Sequence, residues 1–145
     1  MTDDLGRHLQ DAADAWRAEF RREMTARGFV AHNGAAGELL MHLTPDSLSQ
    51  TELTARVGLS KQAVQQLLDQ LEAQKYLHRE PDPADKRAKR VVLSDYGKRE
   101  FAERQKVLAV LNDRTQERLG KKLLAKLDKA LRRLGDPKRA RSEHL

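Results

Sequence analysis

The sequence predicts a mainly α-helical fold with a small β-wing: a winged helix-turn-helix flanked by long terminal helices. Three observations predict it. Two short amphipathic helices meet at Gly58; a basic run, Asp85, Lys86, Arg87, Ala88, Lys89 and Arg90, lies between short apolar runs just downstream; and leucines recur at helical spacing toward both ends. A hairpin tip with four cations and one carboxylate has little reason to exist as packing, because like charges at close range repel unless solvated or met by phosphates. A solvated turn is the plain alternative, and the order of elements around the run argues against it.

Leu5, Leu9, Ala12, Ala13, Trp16 and Phe20 fall at helical spacing, so a first helix is expected over 5–27, closed by Gly28. Ala36, Leu39, Leu40 and Leu43 give a second over 33–43, ended by Thr44-Pro45-Asp46. Ser49 with Glu52 three residues on is a capping-box pattern, opening a third helix that runs to Val57 with Leu53 and Val57 inward. Gly58 supplies the tight turn, Leu59 plugs it, and Ser60 caps a fourth helix over 60–74. Val64, Leu67, Leu68 and Leu71 form its buried stripe; Lys61, Gln62, Gln65, Gln66 and Asp69 fill the opposite face. Residues 76–80 and 90–93 then pair as strands around the basic loop, where Pro81 and Pro83 are expected to stop the ladder. After Ser94, an N-cap candidate, a long helix spans 96–119 and breaks near Gly120. A last helix, 121–134, carries Leu123, Leu124, Leu127, Leu131 and Leu134 on one stripe. Gly135-Asp136-Pro137 ends it, leaving a basic tail expected to be flexible.

A chain of 145 residues is expected to form one domain with its own core. Residues 33–94 make the winged helix-turn-helix, 5–30 and 96–134 the terminal helices, and 135–145 the tail. A net charge of +6 favours a polyanionic partner. The absence of cysteine removes disulfides, thiolate metal sites and cysteine nucleophiles. No apolar run reaches the length of a signal peptide or bilayer span, so a cytoplasmic location is expected. Aromatic content of 4% argues against single-strand platforms built on stacked rings.

The order of elements resembles the MarR family of bacterial winged-helix transcriptional regulators. The resemblance is carried by LSQTELTARVGLS at 48–60, VQQLLDQLE at 64–72, Tyr76-Leu77-His78-Arg79, and DPADKRAKRVVLSDYG at 82–97. It implies that the fourth helix lies in a DNA major groove and that Arg87 enters the minor groove. A guanidinium on a protruding arm also suits a narrow anionic channel better than the more strongly hydrated lysine. Lys86, Lys89 and Arg90 join Arg87 as candidate DNA contacts. Asp85 is expected either to brace the wing by pairing with a nearby arginine, as the resemblance implies, or to close a turn on its own backbone.

In the fourth helix Gln65, Gln66 and Gln70 stand where the family often has threonine and arginines. Gln62, Gln65 and Gln66 can each bond adenine bidentately, each good pair contributing about 1–3 kcal/mol of discrimination; exposed glutamines chosen for helix propensity are the plain alternative. Ser49, Gln50 and Thr51, and Ser60 with Lys61, are candidate phosphate contacts at helix N-termini.

The resemblance further implies a two-fold dimer that spaces two recognition helices about 34 Å apart over a pseudo-palindrome. Leu5, Leu9, Trp16 and Phe20 near the start, with Leu108, Leu111, Leu119, Leu123, Leu127 and Leu131 near the end, are the candidate interface; an intramolecular bundle is the alternative. A small-molecule effector is a further implication, with Trp16, Phe20, Met24, Met41 and His42 as lining candidates. Glu38 and His42 have the i, i+4 spacing of two metal ligands but lack a third, so no metal and no cofactor are expected. With no phosphate loop, HExxH or nucleophile elbow, an enzyme is not expected. The competing classes are a winged helix serving as a protein-interaction or RNA-binding module, and an architectural DNA binder without effector control.

Overall fold

The computed structural model describes residues 4–136, so most of the tail lies outside the described residues. The elements are α1 (Leu5–Ala26), a 3-10 turn (Ala31–Asn33), α2 (Ala35–Leu40), β1 (Leu48–Ser49), α3 (Gln50–Val57), α4 (Lys61–Ala73), β2 (Leu77–Asp82), β3 (Asp85–Leu93), α5 (Asp95–Leu119) and α6 (Lys121–Leu134). The chain divides into two compact units, residues 1–107 and 108–145.

Expected stop signals are where the physics requires them. Gly28 and Gly58 adopt left-handed φ of 91° and 68°, a conformation open to glycine at no steric cost. Ser49 Oγ accepts from the Glu52 amide at 3.0 Å and Ser60 Oγ from the Ala63 amide at 3.0 Å, so α3 and α4 both begin on side-chain caps. Ser94 Oγ does the same for the Gly97 amide at 3.0 Å, and its hydroxyl donates to the Lys75 carbonyl. The second helix is shorter than expected: it splits into the 3-10 turn and six residues of α2, then ends in tight turns in which the His42 and Leu43 amides bond the Leu39 and Leu40 carbonyls.

The core of the first unit gathers Met24, Leu39, Leu40, Leu43, Leu53, Val64, Leu68, Leu71 and Val91, all nearly inaccessible. Leu67 and Val57 are only half-buried. Leu59 does not plug the turn: its side chain is 47% exposed, because the left-handed Gly58 turns it outward.

The sheet has order β1-β3-β2. β1 was not expected; its two residues pair antiparallel with Arg90 and Val91 of β3 and tie the entry to α3 onto the wing. α4 ends on a Schellman motif: the Lys75 amide bonds the Glu72 carbonyl at 2.9 Å and the Tyr76 amide the Leu71 carbonyl at 3.0 Å. Lys75 sits at φ 71° where glycine would be unstrained. α5 starts against this corner so closely that a Cβ on Gly97 would lie 2.0 Å from the Tyr76 carbonyl oxygen. Tyr76 packs on Tyr96 with ring centroids 4.9 Å apart; burial, and then the hydrogen bond with Tyr96, hold the Tyr76 phenol above the usual range.

The second unit holds the end of α5 and α6, separated by Gly120 at φ 80°. No residue of α6 is buried.

Candidate nucleic-acid interface

The outer face of α4 presents Lys61, Gln62, Gln65 and Gln66, all exposed. Gln50, half-buried at the start of α3, donates from Nε2 to Gln65 Oε1 and joins the two helices of the helix-turn-helix. Thr51 and Ser60 are exposed; Ser49 is buried, with its hydroxyl accepting the Glu52 amide.

The wing differs from expectation in its extent. The ladder does not stop at Pro81: it continues through Pro81↔Lys89 to Asp82↔Asp85, with an irregularity between Pro81 and Asp82. The basic residues therefore lie along β3, and the tip is Pro83 and Ala84 rather than the basic run. Pro81 is tolerated because β2 is an edge strand, whose outward side needs no donor. Lys86, Arg87 and Lys89 are exposed, and Arg87 and Lys89 share one face by strand alternation.

Asp85 closes a turn, accepting the Arg87 amide at 2.9 Å, and makes no ion pair among the described residues. The bracing carboxylate is instead Asp82, unforeseen in the sequence. Buried at the hairpin end, it accepts the Ala84 amide at 2.9 Å and faces Arg90 Nη1 at 3.6 Å. Arg90 donates further to Ser47, from Nε to Oγ at 3.0 Å and from Nη2 to the carbonyl at 2.9 Å. Of the cations expected to face a ligand, Arg90 alone is committed to such a strut.

Arg79, on β2, was likewise missed as a functional residue. Its Nε donates to Glu72 Oε1 at 3.0 Å and its Nη2 to Asp69 Oδ1, clamping the wing to α4. Burial lowers the guanidinium pKa, but the two carboxylates outweigh that and raise it. The Asp69 and Glu72 charges on α4 are thus answered within the chain.

Below this interface lies a buried polar cluster that no local pattern announces. Glu100 and Arg104 are i, i+4 on α5, with Arg104 Nε donating to Glu100 Oε1 at 2.7 Å. His32 Nε2 approaches the same Oε1 at 3.2 Å. Arg104 also donates to the carbonyls of Met41 at 3.2 Å and Leu43 at 2.9 Å, satisfying the end of α2. The three side chains are 3%, 0% and 2% exposed for His32, Glu100 and Arg104, so the Glu100 and Arg104 charges depend on their partners.

Beside the cluster is a cleft of about 510 Å³, lined by Trp16, Arg17, Phe20, Arg21, His32 and Met41 among others. Trp16 and Phe20 stack at 5.3 Å, and Phe20 meets the His32 ring edge-on at 4.9 Å. Trp16, Phe20 and Met41 therefore line one cleft. Met24 is instead fully buried core, and His42 is exposed and not among the cleft's lining residues, because α2 ends before it. Among the described residues no three potential metal-ligating side chains converge.

Of the expected interface residues, Leu5, Leu9, Leu123, Leu127 and Leu131 are exposed, while Trp16, Leu108 and Leu119 are half-buried. Phe20 and Leu111 are already buried in the single chain and offer no free surface. Among the described residues no helix is long and apolar enough to cross a membrane.

A glycine-turned helix pair, an exposed polar second helix and a β-arm clamped to it define a winged-helix protein. Residues 29–88 match the model of the MarR family, and the chain shares the fold of solved MarR structures. The chain is similar to a mutant MarR from E. coli complexed with operator DNA, with TM-score 0.75, 20% identity, and 92% of this chain and 95% of that one covered. It is similar to a MarR-family transcriptional regulator from Rhodococcus sp. RHA1, with TM-score 0.72, 18% identity and coverage of 94% and 97%. It is also similar to the transcriptional regulator Tm0710 from Thermotoga maritima, with TM-score 0.55, 26% identity and coverage of 90% of each chain. No curated protein matches the chain in sequence.

Proposed function

We propose that the chain is a sequence-specific double-stranded DNA-binding regulator, a homodimeric repressor that reads a pseudo-palindromic operator. In this reading α4 enters the major groove and offers Lys61, Gln62, Gln65 and Gln66 to base edges and phosphates, while Arg87 reaches the adjacent minor groove with Lys86 and Lys89 on its flanking phosphates. One observation carries the reading: the Arg79 clamp to Asp69 and Glu72 holds an exposed polar helix and an exposed cationic arm in one frame. The E. coli protein bound to operator DNA, alike in fold, supports it. The exposed leucines of α1 and α6 supply the dimer surface, and the cleft beside Trp16, Phe20 and Met41 suits a small planar effector that releases the DNA.

The test is electrophoretic mobility shift with the chain's own upstream region, against excess competitor DNA and across salt. Retained preference over competitor is expected, and its loss in Arg87→Ala. Equal affinity for all sequences, or an unchanged Arg87→Ala, rejects the assignment.

A further inference from the structure

The basicity of the chain is not where its winged helix is. Residues 1–120 carry 19 lysines and arginines against 19 aspartates and glutamates, so the whole net charge of +6 resides in residues 121–145, with nine cations against three carboxylates. Within that segment α6 arranges four of them, Lys122, Lys126, Lys129 and Arg133, at i, i+4, i+7 and i+11. They form one stripe about 17 Å long on a helix rising about 1.5 Å per residue. All four are exposed and none forms an ion pair among the described residues; Asp128, the one carboxylate of α6, is held by Arg132 at 2.9 Å.

Such a stripe costs the helix stability. Its neighbours repel at three successive i, i+3 or i, i+4 steps, and Lys121 and Lys122 sit at the positive end of the helix dipole, with no acidic residue in the first turn. A surface built against these penalties fits a polyanion. We infer that the basic stripe of α6 is a second, sequence-independent binding surface for the phosphate backbone of duplex DNA, separate from α4 and the wing.

Geometry favours a rod-like polyanion over an anionic membrane. At 100° per residue the stripe centres about 125° around the helix from Leu123, Leu127, Leu131 and Leu134. A helix lying in a bilayer surface with its leucines inserted would aim Lys122 and Lys129, half of the stripe, away from the headgroups. The two faces instead suit two partners, the leucines a twin chain and the cations a duplex. The dimer and the operator belong to the proposed function; the stripe's affinity for phosphates does not depend on them.

The experiment compares the wild-type chain with a variant carrying Lys122→Gln, Lys126→Gln, Lys129→Gln and Arg133→Gln, titrated by fluorescence anisotropy against a random-sequence duplex at rising salt. A parallel variant, Lys122→Arg, Lys126→Arg and Lys129→Arg, keeps the charge on the same helix, and circular dichroism confirms equal helicity. Four lost phosphate contacts should flatten the log–log salt slope by about 3 to 4, so that between about 50 and 200 mM salt the wild type loses roughly 100-fold more affinity than the glutamine variant. The arginine variant should keep the wild-type slope. An unchanged slope in the glutamine variant overturns the inference; so does charge-dependent sedimentation with phosphatidylglycerol vesicles accompanied by an unaltered DNA slope. Intact operator preference with an unchanged slope sinks this inference alone. A flattened slope in a chain that never prefers an operator sinks the proposed function and leaves the stripe standing.

Discussion

Two amphipathic helices of nearly equal length, α4 and α6, have been put to opposite uses. α4 buries Val64, Leu68 and Leu71 completely, carries a capping serine, and has its two carboxylates answered by Arg79. α6 buries none of its leucines, starts at a glycine with no side-chain cap, and has a cationic stripe unpaired among the described residues. Periodicity alone would rank them as equals. The difference is that α4 is satisfied inside its own chain, whereas α6 keeps its leucines unburied among the described residues.

The largest test of that contrast lies in the unit that holds α4. Glu100→Gln removes the carboxylate between Arg104 and His32, and a buried arginine without its partner should cost about 3–5 kcal/mol in urea unfolding. Next, Leu68→Ala should lower stability by about 2–5 kcal/mol at any protein concentration. Leu127→Ala with Leu131→Ala should leave the dilute chain's stability nearly unchanged and raise the concentration needed for dimers in analytical ultracentrifugation. A concentration-independent loss of 2 kcal/mol or more there, roughly the core-cavity scale, would mean that the α6 stripe is packed after all.

Smaller effects sharpen the comparison. Arg87→Ala should weaken operator binding by about 1–3 kcal/mol while removing no more than about one unit of salt slope, in contrast to the stripe on α6. Ser60→Ala should cost about 1 kcal/mol by leaving the Ala63 amide without its cap. Lys121→Glu, which places an anion at the positive end of the uncapped helix, should gain about 0.3–1 kcal/mol of local stability in amide hydrogen exchange across α6.

How much could be read in advance followed sequence distance. Caps and turns are local, so Ser49, Gly58, Ser60 and Ser94 gave up the helix starts and stops from neighbouring residues alone. The wing was legible as a hairpin, but its length was not: an edge strand hides the cost of Pro81, and only the sheet order reveals that β2 is an edge. β1 is two residues long and exists because Val91 and Arg90 pair with it from more than forty positions away. The His32–Glu100–Arg104 cluster is subtler, since its i, i+4 pair looks like an ordinary surface ion pair until α5 is packed onto the end of α2. Arg90 read as a free cation and Arg79 went without a role for the same reason, their partners lying on other elements. The composition had a further lesson, for a chain of net charge +6 carries none of that net charge in residues 1–120.

Because Arg79 fastens the arm to the reading helix, and Arg90 fastens the same arm to Ser47, the two probes behave like the fixed jaws of a caliper. On the proposed reading, one protomer then measures a set gauge along the duplex and cannot stretch to a longer half-site. Tolerance for operators of unequal spacing has to come from the joint between protomers, so natural sites should vary at their centres and hold constant in their arms.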